Sequence, residues 1–268
     1  MSSDSTKKTL TVALGICLVC SILVSTAAVS LGSIQAENKQ IDKIKNILAA
    51  GGIDYTNKDP QQIYKDKIKP VTIDLESGEI INPEEKSDLL KPQNFDIKKI
   101  SNEPELSESI PASEDIAGIK RKPSYMIIYE VLDSENNIEK YIFPVHGKGL
   151  WSTLYGFISL DSHLITVEGI TFYEHGETPG LGGEVDNPRW KASWKGKTAY
   201  NDNGEYIIDV IKGKVDPNSR NANHQIDGLS GSTLTTRGVD NLLKYWLGEN
   251  GYAAFMKKVR EEDSDEKI

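Results

Sequence analysis

The chain has 268 residues and a formal net charge of −9, from 40 Asp and Glu against 31 Lys and Arg. This length fits one sizeable folded domain with appendages. An excess of negative charge repels a phosphate backbone, which excludes nucleic-acid binding as an expected function. The two cysteines, Cys17 and Cys20, lie in an apolar N-terminal stretch, and we interpret them as small helix residues rather than as a redox pair.

Residues 9–34 carry no charged side chain, and about 20 helical residues are enough to cross the hydrocarbon core of a membrane. The pattern predicts one transmembrane helix after a short N-terminal segment, residues 1–8. The length of the apolar stretch argues against a cleaved signal peptide ending near Ala27. The bulk of Val19 argues against a lipid anchor at Cys20. Lysines occur on both sides of the span, so charge leaves its orientation undecided.

The sequence of residues 35–123 predicts an amphipathic helix followed by a connecting region. Apolar residues at helical spacing precede the helix stop at Gly51–Gly52, namely Ile41, Ile44, Ile47 and Leu48. Residues 54–123 are rich in Lys, Asp, Glu, Ser and Pro, which predicts a loosely structured connection. One β-hairpin is expected in it, turning at Ser77–Gly78.

The compact domain is expected at residues 124–262, followed by a charged tail, residues 263–268. Four stretches rich in Ile, Val, Tyr and Phe predict consecutive antiparallel strands, at 124–132, 138–147, 152–160 and 163–177. A short helix capped by Asn187, a strand over 205–213 and two helices after residue 232 follow. The element order predicts an α+β fold, with a central antiparallel sheet flanked by helices.

Residues 227–238, DGLSGSTLTTRG, precede a helical pattern and combine glycines with hydroxyl side chains. Backbone N–H groups at a helix start can hold an anion such as phosphate. Ser and Thr are also preferred as helix caps. Local composition alone favours the helix cap over the phosphate site.

Two further segments are candidates for contact with a flat ligand. Residues 174–190 interleave glycines and Pro179 with Glu177, Thr178 and Leu181, so their backbone could approach a ligand closely or form an elaborate turn. Residues 147–157 place Trp151 beside glycines, where an indole forms either a wall for a planar cofactor or part of the core.

Together these segments resemble the C subunit of the bacterial sodium-translocating NADH:quinone reductase. The flavin-attachment pattern of that family is an Asp, then Gly, an aliphatic residue, Ser or Thr, a small pair and Thr. It matches residues 227–233, DGLSGST, with Ser232 where Ala is most frequent. EHGETPGLGGEVDNP, GKGLWSTLYGF and the C-terminal GENGYAAFMKKVR also match.

The resemblance implies FMN joined through its phosphate to the Thr233 hydroxyl by a flavin transferase that uses FAD. Asp227 would belong to the recognition element and help to polarise that hydroxyl. The implied cofactor-binding residues are Thr233, Asp227, Gly228, Leu229, Ser230, Gly231, Ser232, Thr235, Trp151, Glu177, Thr178 and Leu181. Electron transfer by a flavin needs no catalytic base, and the four histidines show no metal-ligand spacing, so no catalytic or metal-binding residue is expected.

The resemblance also implies partners and a location. The chain would be an electron-carrying member of a six-subunit complex that oxidises NADH, reduces ubiquinone and exports sodium, with the NADH site on another subunit. It would lie in the bacterial inner membrane, with a cytoplasmic N-terminus and a periplasmic C-terminal domain. Two alternatives are the homologous G subunit of the ferredoxin-linked electron transport complex and a membrane-anchored ligand-binding protein without redox activity.

Overall fold

The computed structural model describes residues 6–201 and 203–265. It divides between Lys43 and Ile44 into an N-terminal unit and a compact unit that contains the rest of the chain. The helices are α1 (Thr6–Ala50), α2 (Pro60–Lys67), α3 (Ile97–Asn102), α4 (Pro188–Ala192), α5 (Thr233–Leu247) and α6 (Ala253–Asp265).

The predicted membrane span and the amphipathic helix form one continuous helix, α1. Its apolar part has a mean hydropathy of 2.5 and the length needed to cross a membrane. The predicted stop is confirmed, because Gly52 adopts φ +66° and the Gly51 N–H bonds to the Ile47 carbonyl at 3.0 Å. Within the compact unit, the last turn of α1 buries Ile47 and Leu48 in the core.

The strands of the compact unit are β1 (Ile68–Asp74), β2 (Ile80–Ile81), β3 (Ser107–Ser109), β4 (Arg121–Pro123), β5 (Tyr125–Leu132), β6 (Ile138–Lys148), β7 (Thr153–Asp161), β8 (Val167–Glu174), β9 (Asp209–Val210) and β10 (Gln225–Ile226). Six of them form an antiparallel sheet with strand order β2-β1-β5-β6-β7-β8. The α+β class and the antiparallel sheet are therefore as predicted.

The expectation of a loosely structured connection at residues 54–123 is wrong. Strand β1 pairs along its whole length with β5, and Ile73 is fully buried. The expected hairpin does form, from β1 and β2, and Gly78 supports its turn with φ +72°. The folded unit thus begins at Ile44 rather than near residue 124.

The remaining predicted elements differ mainly in length. Asn187 caps α4 as expected, by accepting a hydrogen bond from the Arg189 N–H. The strand expected over 205–213 is reduced to β9, which pairs in parallel with β10. Of the expected tail, residues 263–265 belong to α6 and residues 266–268 lie outside the described residues, as do residues 1–5 of the expected N-terminal segment.

Helix α5 packs directly on β6. A Cβ on Gly147 would lie 2.5 Å from the Leu242 Cβ, and one on Gly238 would lie 2.4 Å from the Lys148 carbonyl oxygen. The Trp246 indole N–H also bonds to the His146 carbonyl at 2.7 Å. These close approaches hold α5 against the end of β6, with Gly238, in its second turn, next to Lys148.

Candidate functional site

Three segments that are distant in sequence meet at one end of the sheet, where strands β6 and β8 end and strand β7 begins. Strands β6 and β7 are joined there by residues 149–152, since Lys148 pairs with Thr153. Strand β8 ends at the same end, where Tyr155 pairs with Glu174, and the glycine-rich loop follows it. The start of α5 reaches this end through the contact of Gly238 with Lys148. The three segments selected from the sequence therefore form one site.

Glu177 joins the three segments. Its Oε1 accepts hydrogen bonds from the backbone N–H groups of Trp151 and Ser152, at 2.9 and 3.1 Å. Its Oε2 accepts one from the Leu150 N–H at 3.3 Å and one from the Thr235 hydroxyl at 2.7 Å. Glu177 is only 5% exposed, so its carboxylate connects the segments in the interior of the protein.

Burial alone would raise the pKa of Glu177, because a desolvated carboxylate resists ionisation. The hydrogen bonds from Thr235 and from the N–H groups of Ser152, Trp151 and Leu150 act in the opposite direction and leave the pKa lowered. Glu177 is therefore ionised at neutral pH and can only accept hydrogen bonds.

Two glycines make room for this carboxylate. A Cβ on Gly149 would lie 2.6 Å from Glu177 Oε1, and a Cβ on Gly182 would lie 2.7 Å from Oε2 and 2.6 Å from Thr235 Oγ1. Any larger residue would have to displace the carboxylate or the threonine. Close approach within the protein thus explains part of the glycine content of these loops.

The hydroxyl groups around the start of α5 divide into buried and exposed sets. Ser232, Thr235 and Thr236 are buried, whereas Ser230 and Thr233 are exposed. The Ser232 hydroxyl donates to Thr235 Oγ1 at 2.9 Å, and Thr236 Oγ1 bonds to the Ser232 carbonyl at 2.9 Å. Ser232 makes no side-chain capping hydrogen bond, so the helix-cap interpretation is wrong for its hydroxyl.

Large apolar side chains of the joined segments are exposed to solvent. Trp151 is 67% exposed, Leu181 is 44% exposed and Leu234, next to Thr233, is 54% exposed. Leu181 also approaches the turn before α5, because a Cβ on Gly231 would lie 3.0 Å from Leu181 Cδ2. The core interpretation of Trp151 is wrong, and its exposure agrees with a wall for a ligand.

Asp227, Gly228 and Leu229 anchor the segment that leads to Thr233. Asp227 Oδ1 accepts the Val215 N–H at 2.8 Å, and the Asp227 carbonyl accepts the Trp190 indole N–H at 2.8 Å. The Gly228 N–H bonds to the Gly213 carbonyl at 2.7 Å, and Leu229 is buried. These contacts hold the loop that leads to Thr233.

The glycine-rich loop is also held by its own residues. The carbonyl of Thr178, whose side chain is exposed, accepts the N–H groups of Leu181 and Gly183. His175 Nε2 lies 2.8 Å from Asp186 Oδ2, and His175 Nδ1 accepts the Glu177 N–H at 3.2 Å. Within residues 6–201 and 203–265, no cluster of three or more His, Cys, Asp or Glu side chains is arranged to hold a metal ion.

Sequence reasoning missed two residues of the site. Ser152 accepts the Gly176 N–H on its hydroxyl at 2.6 Å and so joins two of the segments. Leu234 adds exposed apolar surface beside Thr233. An exposed Leu in the first turn of an otherwise amphipathic helix was the available signal for Leu234, whereas nothing local marked Ser152.

Comparison with known proteins agrees with this geometry. The FMN-binding domain family matches residues 149–248, which include all three segments around Glu177. The crystal structure of NqrC from Shewanella oneidensis matches with a TM-score of 0.74 and 29% identity, over 83% of this chain and 99% of that one. The C subunit of the Na(+)-translocating NADH-quinone reductase from Parabacteroides distasonis matches with a TM-score of 0.62 and 28% identity, over 85% and 96%. The fold and the site define a flavoprotein of the FMN-binding-domain class, with an N-terminal helix suited to anchoring it in a membrane.

Comparison of sequences narrows the class to one family. The chain is 47% identical over 262 residues to the C subunit of the Na(+)-translocating NADH-quinone reductase of Pseudomonas aeruginosa, covering 97% of this chain and 98% of that protein. It is 42% identical over 263 residues to the corresponding protein of Yersinia pestis, covering 97% and 95%. The chain belongs to the family of C subunits of the Na(+)-translocating NADH-quinone reductase, a family of oxidoreductase subunits. The resemblance stated from its motifs is confirmed.

Proposed function

We propose that this chain carries FMN joined through its phosphate to the Thr233 hydroxyl and relays electrons within a sodium-translocating NADH:quinone reductase. The observation that supports this most directly is the division of hydroxyls at the start of α5. Thr233 is exposed at the first position of the helix, while Ser232, Thr235 and Thr236 are buried. Among the hydroxyls of α5's first turn, Thr233 is thus the one accessible to a modifying enzyme.

The surroundings of Thr233 fit a phosphate that bears a flat aromatic ring. The α5 N-terminus attracts an anion, because its first N–H groups point away from the helix and its dipole is positive there. Trp151, Leu181 and Leu234 offer exposed apolar surface for the ring. Residues 227–232 hold Thr233 where the α5 N-terminus meets this apolar surface. Thr178 lies exposed in the loop that carries Leu181.

Attachment of FMN from an FAD donor is a balanced group transfer. The Thr233 hydroxyl oxygen forms a bond to the phosphorus of the FMN portion, the pyrophosphate bond breaks, and AMP leaves with the electron pair. The hydroxyl proton passes to a base of the flavin transferase or to water. When bound, the flavin supplies reversible electron transfer, and the protein holds it in place and shapes its surroundings.

Within the proposed complex, this chain is one of six subunits, and NADH is oxidised on another. The chain is anchored by α1 in the bacterial inner membrane, with its N-terminus in the cytoplasm and its compact unit in the periplasm. The family of its relatives supports the complex, and the apolar portion of α1 supports the anchor. A covalent bond suits a periplasmic carrier, because a tethered cofactor is not lost by dissociation.

Denaturing gel electrophoresis under ultraviolet light tests the attachment. With the flavin transferase co-expressed, the wild-type chain should give a fluorescent band and Thr233→Ala should give none. Ser113→Ala, which removes an exposed hydroxyl outside this segment, should keep the band. A band that persists in Thr233→Ala would contradict the assignment, and a wild-type chain without fluorescence would contradict covalent FMN altogether.

Membrane vesicles test the role in the complex. Vesicles that contain the complex with the wild-type chain should take up sodium when supplied with NADH, and those with Ser113→Ala should do the same. Thr233→Ala should abolish both quinone reduction and sodium uptake. Unchanged sodium uptake by Thr233→Ala vesicles would remove this flavin from the electron path.

Thiol labelling tests the membrane orientation. Cysteines introduced at the exposed positions Thr6 and Ser113 lie on opposite sides of the α1 span. In cells with a permeabilised outer membrane, a membrane-impermeant maleimide should label Ser113→Cys and leave Thr6→Cys unlabelled. The reverse pattern would place the compact unit in the cytoplasm.

A further inference from the structure

We infer that Glu177 determines which hydroxyl receives the flavin, by holding the Ser232 side chain inside the protein through Thr235. This inference rests on the proposed attachment of FMN to the segment 227–233. It gives Glu177 a positioning role within the protein, in place of the contact with the flavin ring implied by the resemblance.

A chain of hydrogen bonds connects these residues. The Ser232 hydroxyl donates to Thr235 Oγ1 at 2.9 Å, and the Thr235 hydroxyl donates to Glu177 Oε2 at 2.7 Å. The direction of donation is fixed at its end, because an ionised carboxylate has no proton to donate. Ser232 and Thr235 are 6% and 0% exposed, so this chain of hydrogen bonds lies inside the protein.

This chain of hydrogen bonds prevents attachment of FMN to Ser232, the residue next to Thr233. A hydroxyl attacks phosphorus only when its oxygen can reach the donor in line and its proton can pass to a base. The Ser232 proton is directed to Thr235 and its oxygen is buried, whereas the neighbouring Thr233 hydroxyl is exposed. Two adjacent hydroxyls are thereby given different reactivity.

Several contacts fix the position of the Glu177 carboxylate. Three consecutive N–H groups, those of Leu150, Trp151 and Ser152, donate to the carboxylate that also accepts the Thr235 hydroxyl. Gly149 and Gly182 leave only enough space for it. The loop that presents Trp151 and the helix that presents Thr233 are therefore tied to the same two oxygen atoms.

Two substitutions release Ser232 in different ways. Thr235→Val keeps the side-chain shape and removes the acceptor of the Ser232 proton. Glu177→Gln keeps the size but places an NH₂ group either at the Oε2 position, against Thr235 and the Leu150 N–H, or at the Oε1 position, against the N–H groups of residues 151 and 152. An NH₂ group facing Thr235 would donate to its oxygen, turn the Thr235 proton toward Ser232 and free the Ser232 proton.

The test is a return of fluorescence in the full-length Thr233→Ala chain co-expressed with the flavin transferase. Thr233→Ala alone should show no flavin band, and the band should reappear when Thr235→Val or Glu177→Gln is added. Mass mapping of the labelled peptide should place the flavin on Ser232, and a further Ser232→Ala should abolish it. A general loss of structure would lower labelling and would not create a new labelled residue.

Glu184→Gln is the matched control, because Glu184 lies in the same loop and accepts a hydrogen bond from Asn187 at 2.7 Å instead. Added to Thr233→Ala, it should restore no band. The inference is overturned if neither Thr235→Val nor Glu177→Gln restores a band, or if Glu184→Gln does so equally. A wild-type chain that takes up no flavin would instead refute the proposed function on which the inference rests.

Discussion

Gly182 lies between Glu177 and Thr235, the two residues that connect the glycine-rich loop to α5. Its missing side chain matters because both partners are buried and neither can move into solvent without losing hydrogen bonds. Gly176, in the same loop, is different: a Cβ there would lie 3.4 Å from Ser152 Cβ, which is ordinary contact. The two glycines therefore allow a matched comparison.

We predict that Gly182→Ala lowers the free energy of unfolding by about 1–3 kcal/mol, the range typical of overpacked sites. The added methyl group would push Glu177 or Thr235 out of place, so flavin attachment at Thr233 should fall as well. Gly176→Ala should change both quantities far less. Urea unfolding and in-gel fluorescence measure the two effects, and equal stability of both variants would contradict the close approach at Gly182.

The sequence marked the members of the site but not their connections. Glycine content, hydroxyls and an indole beside glycines marked residues 147–157, 174–190 and 227–238 as candidate segments, and only the resemblance to a family singled out Thr233. The role of Glu177 was not visible, because its partners Ser152 and Thr235 lie 25 and 58 residues away along the chain. Only the fold decides which of these polar groups meet.

Helix α5 and strand β6 enclose a buried histidine. The His146 ring stacks on Tyr155 with a centroid distance of 5.5 Å and lies 4.9 Å from the Trp246 ring. Burial lowers the pKa of His146 to about 3, because the charged imidazolium is disfavoured in this apolar environment. His146 of the folded chain therefore excludes a proton that His146 of the unfolded chain would bind.

We predict that stability falls as the pH is lowered from about 6.5 towards 3, with His146 contributing up to about 1.4 kcal/mol per pH unit. Over this range the unfolded chain binds a proton at His146 and the folded chain does not, so acid favours unfolding. His146→Phe retains an aromatic ring and removes the titration. Urea unfolding at a series of pH values should show a shallower slope for the variant, and equal slopes would contradict the effect.

The elements were predictable where side chains alternate or repeat at helical spacing. Strands β5 to β7 and helices α5 and α6 follow such patterns, and they occur close to the expected positions. The hairpin of β1 and β2 was expected, but the start of β1 and its pairing with β5 were not, because Pro70 and charged neighbours hide the strand pattern there. Pro70 is tolerated there because β2 pairs only with Thr72 and Ile73, which leaves β1 at the edge of the sheet near Pro70.

The compact unit includes far more of the chain than the residues that match the FMN-binding domain family. Residues 149–248 match the FMN-binding domain family, yet the folded unit starts at Ile44. Strand β1 pairs with β5, and the Ser159 hydroxyl bonds to the Ala50 carbonyl at the end of α1. Residues 44–123 are therefore part of the structure that supports the site.

We predict that a fragment of residues 44–268 unfolds cooperatively, whereas a fragment of residues 124–268 does not fold. The shorter fragment lacks β1, so β5 would expose an unpaired edge. Circular dichroism during urea unfolding distinguishes the two. A cooperative transition in the shorter fragment would show that residues 44–123 are dispensable for the fold.

Mass mapping of the protein purified from cells that contain the flavin transferase tests the central claim most directly. We expect one FMN per chain, on the peptide that contains residues 227–237, with fragmentation placing the phosphate on Thr233. FMN on Ser230, Ser232 or Thr235, or a peptide recovered only in unmodified form, would contradict this account.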